Sequence, residues 1–282
     1  MDPLVTIYIP TYNRLSLLKR AVNSVLLQTY KKIEVIIVDD CSTDGTHNYL
    51  NELSKIDIRV RFYIKENNSG ACVSRNIAIQ NAKGFFITGL DDDDYFEKDR
   101  IQSFIDAWKN KKNSTVAISS LYVLKNRTTL TYGKKIFKNK VIKFHEMFLS
   151  NPVGNQIFTE TETLRKINGF DENLKCWQDL ECWLRVLQLG NIEKIFNYSY
   201  IIDVSHDKPR IGNSQHNRYL ISQRYITEKF KLSRKYERYL YIQTFNCNGA
   251  NISIKEYLNT LIKFPSFIFF INILSKIYQV FK

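Results

Sequence analysis

The stretch FFITGLDDDD, residues 85–94, decides how this sequence folds, because a run of apolar and β-branched residues ends abruptly in four aspartates. Short apolar runs that stop at polar residues are typical of strands buried in a sheet. Four adjacent carboxylates repel one another and are costly to bury unpaired. The sequence therefore predicts a buried strand that carries an acidic cluster to the edge of a sheet; a solvated turn is the alternative for the aspartates taken alone.

Strand and helix patterns alternate on the N-terminal side of this stretch. Further strands are predicted at residues 5–9, 33–38 and 60–64. Apolar residues at helical spacing predict helices at about 16–28, 43–53 and 71–81. Regular alternation of this kind indicates an open α/β sheet, in which ligands bind beyond the carboxyl ends of the strands. Because Asp39 and Asp40 follow the second strand, two strands bring acidic residues to the same edge.

The net charge of +13 is placed unevenly along the chain. Residues 206–282 hold 13 Lys and Arg against 4 Asp and Glu, whereas residues 1–205 hold 28 against 24. Such an asymmetry favours an anionic partner, which is a membrane surface, a nucleic acid or a phosphorylated substrate. The apolar, aromatic and lysine-containing segment 264–282 predicts an amphipathic helix, either packed on the protein or lying on anionic lipid, and we favour the membrane.

Cysteine usage and the chain's hydropathy point to a reducing, cytoplasmic setting. The five cysteines form no CxxC pair and have irregular spacing, which argues against a zinc site and a disulfide framework. The first residues carry no basic region followed by an apolar stretch, and no run of about 18 apolar residues occurs. The sequence therefore predicts neither a signal peptide nor a transmembrane helix.

Six short motifs occur in a characteristic order. They are IPTYNR at 9–14, VDDCSTDGT at 38–46, NSGACVSRN at 68–76, GLDDDD at 89–94, NGFDE at 168–172 and QDLECWLR at 178–185. The ordered set resembles the family 2 glycosyltransferases of the GT-A fold. The resemblance implies an open, mixed and mostly parallel sheet flanked by helices, with a helical C-terminal extension. It covers most of the chain.

The same resemblance implies a pocket for a nucleotide-sugar. Its expected members are Pro10, Thr11, Tyr12, Arg14, Asp39, Asp40, Gly70, Arg75, Asp91 and Asp92. Asp39 and Asp40 match the acidic pair that reads the base and the ribose. A carboxylate that accepts the N3–H of uracil selects uridine, and we expect Asp40 to make that contact. Arg75 is expected to pair with carboxylates or phosphate near the metal.

A divalent cation, Mn²⁺ or Mg²⁺, is implied at the acidic run, since carboxylate oxygens suit hard cations. The run matches the family's DxDD pattern with Asp92 in the variable place, so Asp93 is the expected metal ligand. Asp94 is expected to support the site from its edge. His206 matches a late histidine that reaches the metal in many members. Four consecutive aspartates leave the register open by one residue.

The acceptor side is implied by the last two motifs. Asp179 matches the second position of the family's frequent ED pair and is the expected general base; Gln178 departs from the pattern at the first position. We expect the helix N-terminus to keep Asp179 ionised. Trp177, Gln178 and Trp183 are expected to face the acceptor, although a tryptophan on a helix also fits the core. One base and direct displacement predict inversion, and hence a β-linkage from an α-linked donor.

The expected organisation is a catalytic domain at 1–215, with a nucleotide-sugar half at 1–100 and an acceptor half at 101–215. Residues 216–282 are expected to form a basic, aromatic helical region. The resemblance implies transfer of glucose, galactose or an N-acetylhexosamine from a UDP-sugar to a lipid-diphosphate-linked O-antigen or capsule intermediate. Such an enzyme would work in the cytoplasm at the inner face of the cell membrane, without nucleic acid.

Two alternative functions use the same features differently. A metal-dependent nucleotidyltransferase also holds its cation with carboxylates on an α/β sheet, but such enzymes usually have a glycine-rich phosphate loop near the N-terminus, and IPTYNRLS has none. A basic nucleic-acid-binding protein would explain the net charge and the 17 tyrosines. Against it, the positive charge is C-terminal and four aspartates line the expected cleft.

Overall fold

The computed structural model describes residues 2–133, 141–208 and 216–246. Contacts divide the chain into two compact units. The first consists of Met1–Phe144, Pro152–Asn173 and Gln178–Lys208, and the second of His145–Asn151, Leu174–Trp177 and Pro209–Lys282. Besides its C-terminal range, the second unit thus includes two short segments from earlier in the chain. The catalytic boundary at residue 215 stays a prediction.

The N-terminal half of the first unit alternates strand and helix as the sequence predicts. Its elements are β1 (Val5–Thr11), α1 (Leu15–Leu26), β2 (Ile33–Asp39), α2 (Thr46–Ile56), β3 (Val60–Ile64), α3 (Ala71–Asn81) and β4 (Phe86–Gly89). Every residue of β1 and β2 is buried, as expected for parallel strands covered on both faces. These strands form the centre of the hydrophobic core.

Helix α1 shows how the local sequence sets an element in place. Its buried residues, Leu18, Ala21, Val22 and Val25, recur at helical spacing and form one apolar face. At its N-terminus the Asp44 carboxylate accepts the main-chain N–H of Leu15 at 2.9 Å. This bond satisfies one of the main-chain donors that a helix start leaves open.

The second half of the first unit completes the sheet. Its elements are β5 (Tyr95–Phe96), α4 (Arg100–Lys109), β6 (Thr115–Lys125), β7 (Leu130–Tyr132), β8 (Val141–Ile142), β9 (Phe158–Glu160), α5 (Thr161–Lys166), α6 (Gln178–Leu189) and β10 (Asn191–Asp203). The strand order is β3-β2-β1-β4-β9-β6-β10-β5, with β7 paired to β6 and β8 to β10. The sheet is open and mixed, because β9 runs antiparallel to both β4 and β6.

The direction of the strands places several polar residues at one edge of the sheet. Strands β1, β2, β3 and β4 are parallel. Strand β10 is parallel to β6, and two antiparallel steps through β9 give β6 the direction of β4. The carboxyl ends of β1, β2, β4 and β10 therefore lie on the same edge. Thr11, Asp39, Gly89 and Asp203 are their last residues.

The second unit is helical over its described C-terminal part. It contains α7 (His216–Lys229) and α8 (Arg234–Gln243). The ring of Tyr236 packs on Phe148 at 5.1 Å between centroids, and Gln243 donates to the Met147 carbonyl at 2.9 Å. No helix among the described residues is long and apolar enough to span a membrane. The predicted amphipathic segment 264–282 lies outside the described residues.

Gly89 is a position where β1 and β4 leave no room for a side chain. It is paired with Tyr8, and a Cβ there would lie 2.4 Å from the Tyr8 ring and 2.2 Å from Oε1 of Gln156. Tyr8 is buried and donates its hydroxyl to Gln156 at 2.8 Å. The ring therefore has little freedom to move away.

We expect Gly89→Ala to lower the free energy of unfolding by about 1–3 kcal/mol, the usual cost of overpacking a core. The measurement is urea denaturation followed by circular dichroism. Glu52→Ala, at an exposed position of α2, is the control and should change the value by less than about 0.5 kcal/mol. Equal stability of the two variants would contradict the close approach at Gly89.

Candidate functional site

The four aspartates after β4 turn in four directions. Asp91 is bound by Arg75, whose Nη2 lies 3.0 Å from Asp91 Oδ1. The other end of the same guanidinium donates to Gln178 Oε1 at 2.9 Å. Gln156 also donates to Asp91, at 3.3 Å. Arg75 therefore links the acidic run to the start of α6, and it pairs with a carboxylate as the sequence predicts.

Asp92 turns inward, towards the end of β1. Its carboxylate accepts the Thr11 hydroxyl at 2.8 Å and lies 2.8 Å from Nη1 of Arg14. Burial raises the pKa of Asp92 to about 6, although the charge of Arg14 opposes the shift. Thr11 and Asp92, both expected in the nucleotide pocket, thus contact each other directly.

Asp93 is the aspartate that meets the late histidine. Nε2 of His206 lies 3.6 Å from Asp93 Oδ2, and Nη1 of Arg14 lies 3.1 Å from the same oxygen. Two protein ligands in neighbouring positions around one Mn²⁺ or Mg²⁺ are about 3 Å apart, since each bond is about 2.1 Å long. The separation of Asp93 and His206 is close to this distance and favours the register in which Asp93 is the ligand.

The residues at this point fit a cation that is held partly by substrate. Among the described residues, no group of three or more His, Cys, Asp and Glu side chains is arranged to hold a metal ion. Mg²⁺-type cations are commonly held by one or two carboxylates, with phosphate oxygens and water completing the shell. Asp93 and His206 would hold Mn²⁺ or Mg²⁺ in this way, and the cation would compete with Arg14 for Asp93.

Asp94 is directed away from the edge and has no exposed surface. Its Oδ1 accepts the main-chain N–H of Asp203, the last residue of β10, at 3.1 Å. Beside it, the hydroxyl of Tyr200 accepts the main-chain N–H of Asp91 at 3.3 Å. Asp94 therefore joins the acidic turn to β10, and its expected supporting role at the metal site stays a prediction.

The acidic pair after β2 is divided between two tasks. The Asp39 carboxylate has no exposed surface. It accepts hydrogen bonds from the Ser42 hydroxyl at 2.5 Å and the Ser42 N–H at 3.0 Å, and Nε2 of His47 lies 2.7 Å from its Oδ2. Asp39 therefore stabilises its own turn. Its expected place in the nucleotide pocket is corrected, because a carboxylate enclosed in this way does not reach a ligand.

Asp40 is held by different groups. It accepts the N–H groups of Ser69 and Gly70 at 2.9 and 2.8 Å, and Nζ of Lys65 lies 2.6 Å from its Oδ1. A carboxylate has about four acceptor positions, so these three bonds leave about one, on Oδ2. Of the residues expected nearby, Pro10 and Thr11 of β1 are buried, while Tyr12, directly after β1, is 44% exposed.

Asp179 lies in the first turn of α6. Burial raises the pKa of its carboxyl to about 6, against the opposing effects of the Leu180 N–H and the charge of Arg75. The main-chain donors of the helix N-terminus favour the ionised form, as expected, but the loss of solvent outweighs them and the pKa rises. Glu181, in the same first turn of α6, has a buried carboxylate that forms two 2.7 Å bonds with Arg185.

The three residues expected on the acceptor side are in different settings. Gln178 binds Arg75, as described above. Trp183 has no exposed surface, and its indole N–H donates to the Gly154 carbonyl at 2.9 Å. Its acceptor-side assignment is therefore replaced by a packing role. Trp177, in the second unit, has a φ of 57° and packs its ring against Tyr219 at 5.5 Å between centroids.

The loop NGFDE is fastened to α3 by one side chain. Asn76 accepts the Phe170 N–H at 2.7 Å and donates to the Phe170 carbonyl at 2.9 Å and to Glu172 at 2.8 Å. Asn168 and Gly169 have φ values of 58° and 64°, which asparagine and glycine tolerate best. A Cβ at Gly169 would also lie 2.2 Å from Oδ1 of Asn76.

Sequence reasoning missed several residues that hold the site together. These are Arg20, Lys65, Gln156, Tyr200 and Asp203. Asp203 carried a usable signal, since it is an acidic residue at the end of an apolar run, three positions before His206. Arg20 carried none, because an arginine on an amphipathic helix is ordinary.

The chain is similar to known proteins in sequence. The family model described as glycosyl transferase family 2 matches residues 6–169. The putative colanic acid biosynthesis glycosyl transferase WcaA of Escherichia coli (strain K12) is 32% identical over 257 residues, which cover 87% of this chain and 89% of that protein. The match therefore extends well beyond the motifs.

Solved structures show the same fold at lower identity. S. aureus TarS 1–349, in complex with UDP-GlcNAc, matches with a TM-score of 0.67 and 21% identity over 86% of this chain and 71% of its own. The mannosyltransferase PcManGT from Pyrobaculum calidifontis, in complex with GDP-Man and Mn²⁺, has a TM-score of 0.62 and 15% identity, covering 100% and 81%. These two likenesses concern the fold alone.

Proposed function

This chain belongs to glycosyl transferase family 2, and from that premise we propose that it transfers one sugar from a UDP-sugar to a saccharide acceptor with inversion. Family membership also confirms the expected GT-A fold and sets aside the nucleotidyltransferase and the nucleic-acid-binding protein. The observation that carries the proposal is the meeting of Asp93 and His206 at the edge of the sheet that also bears Asp40. In this proposal, the metal-ligating and base-reading groups therefore share one edge of the sheet.

The leaving group dictates what the acidic run has to do. Breaking the anomeric C–O bond leaves a diphosphate, and a bound Mn²⁺ or Mg²⁺ would supply counter-charge to it. Asp93 and His206 hold the cation in this proposal, while Arg14 neutralises the adjacent Asp92. Arg75 holds Asp91 in place from the other side. These two guanidinium groups offset the mutual repulsion of Asp91, Asp92 and Asp93 and orient their carboxylates.

Asp179 is the proposed general base. The attacking hydroxyl of the acceptor must lose its proton, and a positioned carboxylate takes it. A pKa of about 6 is well suited to this task, because at pH 7 most of the carboxyl is ionised and yet it is more basic than an ordinary aspartate. A single base and direct displacement give inversion, so that an α-linked sugar becomes β-linked.

Uridine selectivity is proposed from the bonds of Asp40. Its one remaining acceptor position suits the single N3–H of uracil, whereas guanine presents an N1–H and an amino group side by side. Cytosine presents an unprotonated N3 that a carboxylate repels. The fold by itself does not decide the base, since one structural relative carries UDP-GlcNAc and another GDP-Man.

The acceptor is proposed from the relatives and from charge. WcaA is named for colanic acid biosynthesis, and surface polysaccharides of this kind are assembled from sugars. We therefore propose a saccharide acceptor, lipid-diphosphate-linked, of the O-antigen or capsule type, with glucose, galactose or an N-acetylhexosamine as the donated sugar. Work at the inner face of the cell membrane would suit the excess of Lys and Arg after residue 205.

The first prediction from this proposal concerns the cation. Asp93→Ala should lower the rate of UDP-sugar hydrolysis or transfer by at least about 100-fold, because the leaving diphosphate loses its counter-charge. Excess EDTA should do the same to the wild type, and added Mn²⁺ should restore it. Asp207→Ala is the control, since Asp207 is exposed and pairs with Arg127. Activity that survives excess EDTA would refute the requirement for a divalent cation.

A second prediction concerns the base. Asp179→Asn should keep UDP binding and lose transfer by about 10²–10⁴-fold. Because the pKa of Asp179 is raised to about 6, kcat/KM of the wild type should fall as the pH drops below 6, where the base becomes protonated. The measurement is a pH profile of transfer. Glu172→Gln, on the nearby loop, is the control; if it removes activity while Asp179→Asn does not, the base is assigned wrongly.

A third prediction compares UDP with CDP, which differ only at the edge of the base. Calorimetric titration in Mn²⁺ should give a Kd for UDP about 10–100-fold lower, since a hydrogen bond to a charged group contributes about 1.5–3 kcal/mol. GDP should also bind more weakly than UDP. Equal binding of UDP and CDP would show that Asp40 does not read the base.

A further inference from the structure

Arg20 and Asp203 lie behind the proposed metal ligands and take no part in the chemistry described so far. Arg20 is on α1 and Asp203 is the last residue of β10. The Asp203 carboxylate has no exposed surface, and Arg20 forms an ion pair with it. A buried charge of this kind is stable only when it is paired and hydrogen-bonded.

The guanidinium of Arg20 also reaches the acidic run. Its Nη2 donates to the main-chain carbonyl of Asp93 at 2.5 Å, while Nη1 binds Asp203. One planar, charged group therefore fixes the backbone of Asp93 relative to the end of β10. The ring of Tyr95 lies 5.0 Å from the guanidinium carbon and limits its movement on one side.

The other oxygen of Asp203 shapes the turn that leads to His206. Oδ1 accepts the Ser205 N–H at 2.9 Å and the Ser205 hydroxyl at 2.5 Å. The main-chain N–H of Asp203 donates to Asp94, as described above. His206 follows Ser205 directly, so the direction in which the chain leaves β10 is set by these bonds.

We propose that Arg20 and Asp203 are a positioning pair that fixes the separation of Asp93 and His206 and thereby sets the affinity for the divalent cation. One partner holds Asp93 by its main chain, and the other holds the turn that presents His206. Groups behind metal ligands commonly change metal affinity by about 10–100-fold when they are removed. The inference rests on the proposed function, because it takes Asp93 and His206 as the ligands.

The test measures the Kd for Mn²⁺ of the full chain by electron paramagnetic resonance, with UDP present. Asp203→Asn removes the charge that pairs with Arg20, and its side-chain oxygen still accepts from Ser205. We expect its Kd for Mn²⁺ to rise about 10–100-fold. Asp57→Asn breaks a similar ion pair, with Arg59 at 2.7 Å before β3, and should leave the Kd unchanged.

Two further measurements separate positioning from folding. At saturating Mn²⁺ the transfer rate of Asp203→Asn should return to near the wild-type value, which loss of folded protein would not allow. Arg20→Gln should weaken Mn²⁺ binding similarly, and the double variant should be little worse than either single one. If Asp203→Asn is unstable, Ser205→Ala replaces it in the test. This variant removes only one hydrogen bond to Asp203, so we expect a smaller rise in the Kd for Mn²⁺.

The outcomes distinguish this inference from the proposed function. Wild-type protein that binds no Mn²⁺, or that binds it equally after His206→Ala and Asp93→Ala, refutes the metal assignment itself. The positioning pair alone is refuted by a different result. In that case Mn²⁺ binding needs both Asp93 and His206, but the Kd for Mn²⁺ is unchanged in Arg20→Gln, Asp203→Asn and Ser205→Ala.

Discussion

Four consecutive carboxylates cannot share one environment, and this constraint shapes the whole edge of the sheet. Residues 91–94 each have a different set of partners, among them Arg75, Arg14 and the main chain of Asp203. These partners come from α3, from the residue before α1 and from β10. The acidic run therefore acquires its geometry only when the sheet and its helices are assembled, and the local turn alone does not define the site.

Much of the N-terminal half was predictable because its signals are local. Buried strands such as Ile33–Asp39 are continuous apolar runs, and α1 repeats its apolar residues at helical spacing. The 13-residue strand β10 lacks such a signal, because irregular register with β6 interrupts its alternation. The register of the aspartates was equally out of reach, since the contact between Asp93 and His206 exists only in three dimensions.

The site residues that sequence reasoning misjudged are those for which burial decides the role. Asp39 and Asp40 are neighbours and look equivalent in the sequence, yet one is enclosed by its own turn and the other binds the loop at residues 69–70. Asp179 stands at a helix N-terminus, which favours its ionised form, but its loss of solvent is the larger effect. Neither the role of Asp39 nor the pKa of Asp179 can be predicted without knowing how the protein packs around the carboxylate.

Arg75 and Asn76 are adjacent on α3, and they fasten two separate parts of the site. Arg75 holds Asp91 and Gln178, while Asn76 holds the loop at residues 168–172. For anyone redesigning this enzyme, the acidic run at residues 91–94 and the loop at residues 168–172 are therefore not independent modules. A chimaera that imports a new segment 168–189 inherits its geometry from the host's α3, and the graft has to carry partners for both side chains.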